Sequence, residues 1–138
     1  ACVRAGAHGL SLINTLLGLA IDVNTFRPRL GAVTGGLSGP AIRPVAVRAV
    51  FQVARALPDV PIIGIGGIRS AADAIEFLLA GAWAVAIGTA NYVNPDATID
   101  VARGIGEFLA ARGMRSPADL RGKVIADVEA QEPAYRSG

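Results

Sequence analysis

Apolar residues follow two rhythms along this chain. Nearly unbroken apolar runs fall at 10–14, 60–65 and 83–87. Their length and composition predict strands of a parallel sheet, and the run at 60–65 is of the kind buried on both faces. Elsewhere apolar residues recur every three or four positions, which predicts helices. Over 41–57 the stripe is Ile42, Val45, Ala46, Ala49, Val50 and Val53, with Arg48, Gln52 and Arg55 off it. Pro40 and Pro44 suit a first turn, where an N–H is not needed, and Pro58 stops the helix. Ser70 and Asp73 have the spacing of a capping box for the next helix, which Gly81 ends. A further helix is predicted over 96–112, weakened by Gly104 and Gly106. Residues 1–6 read as a helix end and 116–120 as the start of a short helix, with fraying expected from Glu129.

The order is β, long connection, α, β, α, β, α. That alternation predicts an α/β protein with a parallel sheet and helices outside it. The connection over 15–40 is long for a compact domain. Within it, 21–23 and 30–33 flank a turn and predict a small hairpin. Two architectures fit: a small doubly wound sheet, or part of a (β/α)8 barrel. The chain has 138 residues and is 52% hydrophobic, with a mean hydropathy of +0.47. Three strands this apolar are hard to bury alone, which favours a barrel segment over residues 1–138.

Composition narrows the chemistry. No apolar run reaches the roughly 18 residues of a membrane span, and 9–21 runs into Asp22. No secretory signal pattern is present. A net charge of +2 is too small to argue for nucleic acid. Five arginines and no acid lie between Asp22 and Asp59: Arg27, Arg29, Arg43, Arg48 and Arg55. They read as a solvated face, or as a positive rim for an anionic ligand. Cys2 is the one cysteine, which rules out an internal disulfide and a cysteine metal cluster. It reads as a small buried apolar residue. His8, the one histidine, sits beside Gly9 and reads as turn rather than catalyst. Lys123 is the only lysine.

Three glycine-centred segments carry the candidate chemistry: Thr34-Gly35-Gly36-Leu37-Ser38-Gly39-Pro40, Gly64-Ile65-Gly66-Gly67-Ile68 and Ile87-Gly88-Thr89-Ala90. The second and third follow strands, where α/β folds keep their ligands. Glycine lets backbone N–H groups approach a phosphate closely. The plainer readings are a hinge and tight βα turns. No Gly-Lys-Ser/Thr and no GxGxxG with a following acid is present, so neither a Walker loop nor a dinucleotide fingerprint applies. Asn14 and Thr15 end the first strand. An amide there can read a carboxylate or an imide edge, or it can simply start a turn.

Taken in order, Ile13-Asn14-Thr15, the run 34–40, Pro61-Ile62-Ile63-Gly64-Ile65-Gly66-Gly67-Ile68, Ala80-Gly81-Ala82 and Ala86-Ile87-Gly88-Thr89-Ala90 resemble the C-terminal part of a dihydroorotate dehydrogenase catalytic subunit. The Ile-Gly-Thr-Ala ending most resembles the NAD-linked class 1B form. The resemblance implies an FMN-binding (β/α)8 TIM barrel that oxidises dihydroorotate to orotate in pyrimidine synthesis, with strands six to eight in this chain. It implies that Gly66, Gly67, Gly88 and Thr89 hold the FMN phosphate, with Gly39 and Ile13 beside the flavin. Asn14 and Thr15 would contact orotate. It further implies a cytoplasmic homodimer working with an electron-transfer subunit that carries FAD and an iron–sulfur cluster, with no nucleic acid and no membrane. The family's cysteine base and flavin-contacting lysine belong to earlier strands, and Cys2 and Lys123 do not match them. No catalytic residue is therefore expected in this chain, and the earlier strands must come from elsewhere for activity. A phosphate-binding lyase or isomerase barrel, or a non-catalytic half-barrel, are the competing readings.

Overall fold

The computed structural model describes residues 1–135, with side chains through residue 131. Three strands form the central sheet: β1 (Leu10–Leu12), β6 (Ile62–Ile65) and β7 (Ala84–Ala86), in the spatial order β1-β6-β7. Both pairings are parallel, with Leu12 opposite Gly64 and Ile65 opposite Ala86. Three carboxyl ends therefore open on the same edge. The connections are helical: α1 (Arg43–Ala56) joins β1's side of the sheet to β6, and α2 (Ala71–Leu79) joins β6 to β7. The α/β class read from the sequence holds.

Parallel strands need both faces covered to bury their apolar rows. Here helices cover one face. Ala46, Val50 and Ala54 of α1, spaced by four residues, pack with Ile62 of β6 and with Ala74 and Phe77 of α2 in one buried cluster. On the other face Ser11, Ile63 and Ala84 stand in register across the three strands, and all are exposed. Ile63 keeps 44% of its surface, so within this chain the strand is buried on one face only. The apolar stripe of α1 is also narrower than its sequence suggested, because Val45 lies a helical step away from Ala46 and remains exposed.

Glycine shapes this core by absence. A methyl on Gly64 would sit 2.5 Å from Cδ1 of Phe77, which is fully buried. The strand can lie under that ring only without a side chain. Gly64→Ala should therefore cost about 1–3 kcal/mol by overpacking, read as a lower urea midpoint at unchanged slope. Gly104 is explained in the same way. It sits in α4 (Ala97–Ala110), where a methyl would come 2.6 Å from Ala71 Cβ, so it lets α4 close on the start of α2.

The connection after β1 differs most from expectation. It is a two-tier hairpin: β2 (Leu16–Gly18) pairs antiparallel with β5 (Gly35–Leu37), and β3 (Ile21–Asp22) pairs with β4 (Arg27–Pro28). The hairpin was anticipated, but its inner return strand is 27–28 rather than 30–33, and three of the seven residues of the glycine run 34–40 are strand. A four-residue helix, α3 (Ala90–Val93), follows β7. The C-terminal helix α5 (Lys123–Tyr135) is continuous, so fraying from Glu129 is corrected up to residue 135, and 136–138 lie outside the described residues. Cys2 is exposed, because it precedes a single turn of 3-10 helix (Val3–Ala5) that buries none of its residues.

Candidate functional site

Along the carboxyl edge of the sheet lies a cleft of about 320 Å³. Four segments wall it. Ile13, Asn14 and Thr15 come from the end of β1, and Ser38, Gly39 and Pro40 from the turn into α1. The loop over 65–69 and residues from 86 to 93 close the remainder. All eight residues singled out from the sequence (Ile13, Asn14, Thr15, Gly39, Gly66, Gly67, Gly88 and Thr89) line this one space. They come from positions as much as 76 residues apart in the chain, most of them brought together by the parallel register and Gly39 by the turn into α1. A larger hollow, about 740 Å³, is formed by hairpin residues only, Asp22, Thr25 and Arg27 among them.

The glycines here do different things. Gly39, Gly66 and Gly67 have φ of +87°, +136° and +73°, the left-handed side that side chains resist. A methyl on Gly67 would meet the Gly39 carbonyl oxygen at 2.6 Å and Pro40 Cα at 3.1 Å, so two backbone segments touch at that point. Gly88 is the opposite case: a methyl there meets nothing within 4 Å. It leaves open space on the wall of the cleft.

Polar groups ring an apolar floor. Ile13, Ile65, Ile68 and Ala86 supply hydrocarbon, while Ser38, Thr89, Asn14 and Thr15 supply hydroxyls and an amide. Thr89 Oγ1 donates to Ser38 Oγ at 3.0 Å, bridging two walls. The Thr15 N–H donates to Asn14 Oδ1 at 2.9 Å. That bond is the turn role weighed for Asn14, and it fixes the amide so that its Nδ2 donors face away from it. Among the described residues no carboxylate lines the cleft, and the one charged side chain there is Arg69. The five arginines read as a possible rim do not line it. Arg43 instead pairs with Asp73 and approaches Glu76, and Arg55 approaches Glu129 at 3.7 Å. Arg69 went unremarked in the sequence, although its place directly after Gly66-Gly67-Ile68 was the available signal.

Behind the loop stands Asp73, whose carboxylate Oδ2 accepts the N–H groups of Arg69 and Ser70 at 2.9 and 3.0 Å. Its own N–H donates to Ser70 Oγ at 3.3 Å, completing the capping box expected for α2. Arg43 donates to its other oxygen. Burial alone would raise the Asp73 pKa. The N–H group of Arg69, the Ser70 hydroxyl and the Arg43 charge outweigh burial and hold it below the ordinary carboxylate value. A depressed folded-state pKa adds stability above the unfolded value, and that stability is lost as pH falls through the folded one. Asp73→Asn should thus cost about 2 kcal/mol at pH 7, and the gap to wild type should close in urea titrations well below pH 4.

A parallel α/β sheet with glycine turns gathered round a cleft at its strand ends is the arrangement in which α/β folds keep their ligands. Residues 1–109 match the family model Dihydroorotate dehydrogenase, and the chain belongs to that family. It is 60% identical over 122 residues to the catalytic subunit of dihydroorotate dehydrogenase B (NAD(+)) of Trichlorobacter lovleyi, covering 88% of this chain and 40% of that protein. The protein of the same name from Geotalea daltonii is 59% identical over the same coverage, and that from Alkaliphilus metalliredigens 56% over 124 residues. The chain spans about two fifths of the length of the curated relatives it matches. Among the described residues no helix is long and apolar enough to cross a membrane.

Proposed function

We propose that this chain forms strands six to eight of a (β/α)8 barrel and the FMN-holding side of a dihydroorotate dehydrogenase. The observation that carries the reading is the convergence of the eight residues on one cleft at the strand carboxyl ends. The uncovered row Ser11, Ile63 and Ala84 supports it, since a barrel interior would cover that face.

The cleft suits the cofactor. Open space at Gly39 and Gly88 admits a bulky group against backbone. The Ser38 and Thr89 hydroxyls and Arg69, with no carboxylate among the described lining residues, suit a phosphate dianion. Ile13, Ile65 and Ala86 offer hydrocarbon for a flat ring system. Bound FMN supplies the two-electron acceptor for dihydroorotate oxidation. This chain's own part is to bind and orient. Gly66, Gly67, Gly88 and Thr89 hold the phosphate, Gly39 and Ile13 border the flavin, and Asn14 with Thr15 fixes the pyrimidine edge. The proton leaving the substrate goes to a base outside this segment, because no Cys, His, Asp or Glu among the described residues lines the cleft. Cys2 lies before the amino end of β1, across the sheet from the cleft, and Lys123 opens α5 outside it.

The relatives' name, a catalytic subunit of an NAD-linked enzyme, supports an assembly with a further subunit, and we propose that this subunit transfers electrons and carries FAD and an iron–sulfur cluster. We read the enzyme as a cytoplasmic homodimer in that assembly. The test is the complete polypeptide carrying this segment. It should purify yellow, with flavin absorbance near about 450 nm, and should reduce NAD in the presence of dihydroorotate and the second subunit. A colourless protein that takes up no added FMN would overturn the reading.

A further inference from the structure

The pattern Arg-Ser-x-Ala-Asp occurs twice, at 69–73 and 115–119. In both copies the aspartate accepts the N–H groups of the arginine and serine ahead of it. The second copy does this in solvent, where Asp119 is exposed. Capping alone therefore requires no burial. In the first copy Asp73 is only 8% exposed, and it is the buried charged side chain of the described core. Burying a carboxylate is costly unless it is paired. Its partner is Arg43, thirty residues away at the start of α1. Arg43 Nε also lies 3.3 Å from Glu76 Oε2 of α2.

Arg43 follows Gly39 and Pro40 by one turn, and Asp73 grips the loop that begins at Gly66. These are the two backbone segments that meet where a methyl on Gly67 would strike the Gly39 carbonyl. The same methyl would lie 2.9 Å from Arg43 Cβ. The pair thus spans the seam between two walls of the cleft. We propose that the Arg43–Asp73 ion pair is a positioning clamp that fixes residues 39–40 against residues 66–67 and so sets the spacing of the glycine walls for the ligand. The ligand in that statement rests on the FMN reading above, but the clamp itself is a property of this chain.

The test separates the two. In the full chain, amide hydrogen exchange should quicken about tenfold in both 39–42 and 66–70 for Arg43→Gln, which leaves the capping box of Asp73 intact. Asp119→Asn removes the same motif where it touches no part of the cleft, and it should leave both segments protected even at an equal loss of Tm. In the complete enzyme, titration with FMN should show Arg43→Gln weakened about tenfold and Asp119→Asn unchanged. Faster exchange confined to the first turn of α1 would overturn the clamp, as would the same response from Asp119→Asn. So would unaltered FMN affinity in Arg43→Gln while wild type binds. If wild type takes up no FMN, the cofactor reading fails, and the exchange pattern still decides the clamp.

Discussion

Gly67→Ala should abolish FMN retention in the complete enzyme, with an affinity loss of about a hundredfold or more. Two costs act together. Alanine at φ +73° is strained by about 1 kcal/mol. Its methyl would also meet the Gly39 carbonyl at 2.6 Å and Pro40 Cα at 3.1 Å. Those are backbone atoms with no rotamer to escape into, so one wall of the cleft must move. Overpacking of that kind costs about 1–3 kcal/mol. A total near 3 kcal/mol corresponds to roughly a hundredfold in binding. The informative comparison is Gly88→Ala, whose methyl meets no protein atom within 4 Å. Its Tm should match wild type, and its FMN affinity should still fall, because the methyl takes up space proposed for the phosphate. Thermal unfolding beside a flavin titration reads both. Wild-type affinity in Gly88→Ala would place the phosphate elsewhere.

That contrast also shows what a sequence can and cannot reveal. Both glycines were legible as candidates, since each closes an apolar strand. What distinguishes them is invisible in the letters. Gly67 is needed because a second backbone segment lies against it, whereas no protein atom crowds Gly88 and only the proposed ligand would require glycine there. The strands and helices around them were legible because their apolar periods are long and undisturbed. The hairpin after β1 was less so. Gly35 and Gly36 weaken any strand signal, yet they pair with Gly18 and Leu17. Gly36 is tolerated there because Thr15 fills the space its side chain would need. Pairing across sixteen to eighteen intervening residues leaves no local trace. Asp73 shows the same limit. Its capping role follows from spacing, while its pairing with Arg43 depends on how two helices meet.

Asn14→Ala should lower kcat/KM for dihydroorotate by about a hundredfold while leaving the enzyme fully loaded with flavin. Asn14 stands at the end of β1 on the cleft wall, and its Oδ1 is held by the Thr15 N–H. The amide's orientation is thus set, and its two Nδ2 donors remain for an acceptor on the substrate. Losing a positioned donor at a reacting centre costs about 2.7–4 kcal/mol in comparable sites. Alanine also releases the Thr15 N–H, so a second variant separates substrate contact from turn geometry. Asn14→Asp has the same size and keeps the acceptor for Thr15. It replaces two donors with negative charge facing an anionic substrate, so it should lose more than alanine despite an intact turn. Steady-state kinetics with flavin content measured on the same samples decides the matter. If Asn14→Asp keeps near-normal kcat/KM while Asn14→Ala does not, the residue serves the turn. If either variant loses its flavin, Asn14 belongs to the cofactor site instead.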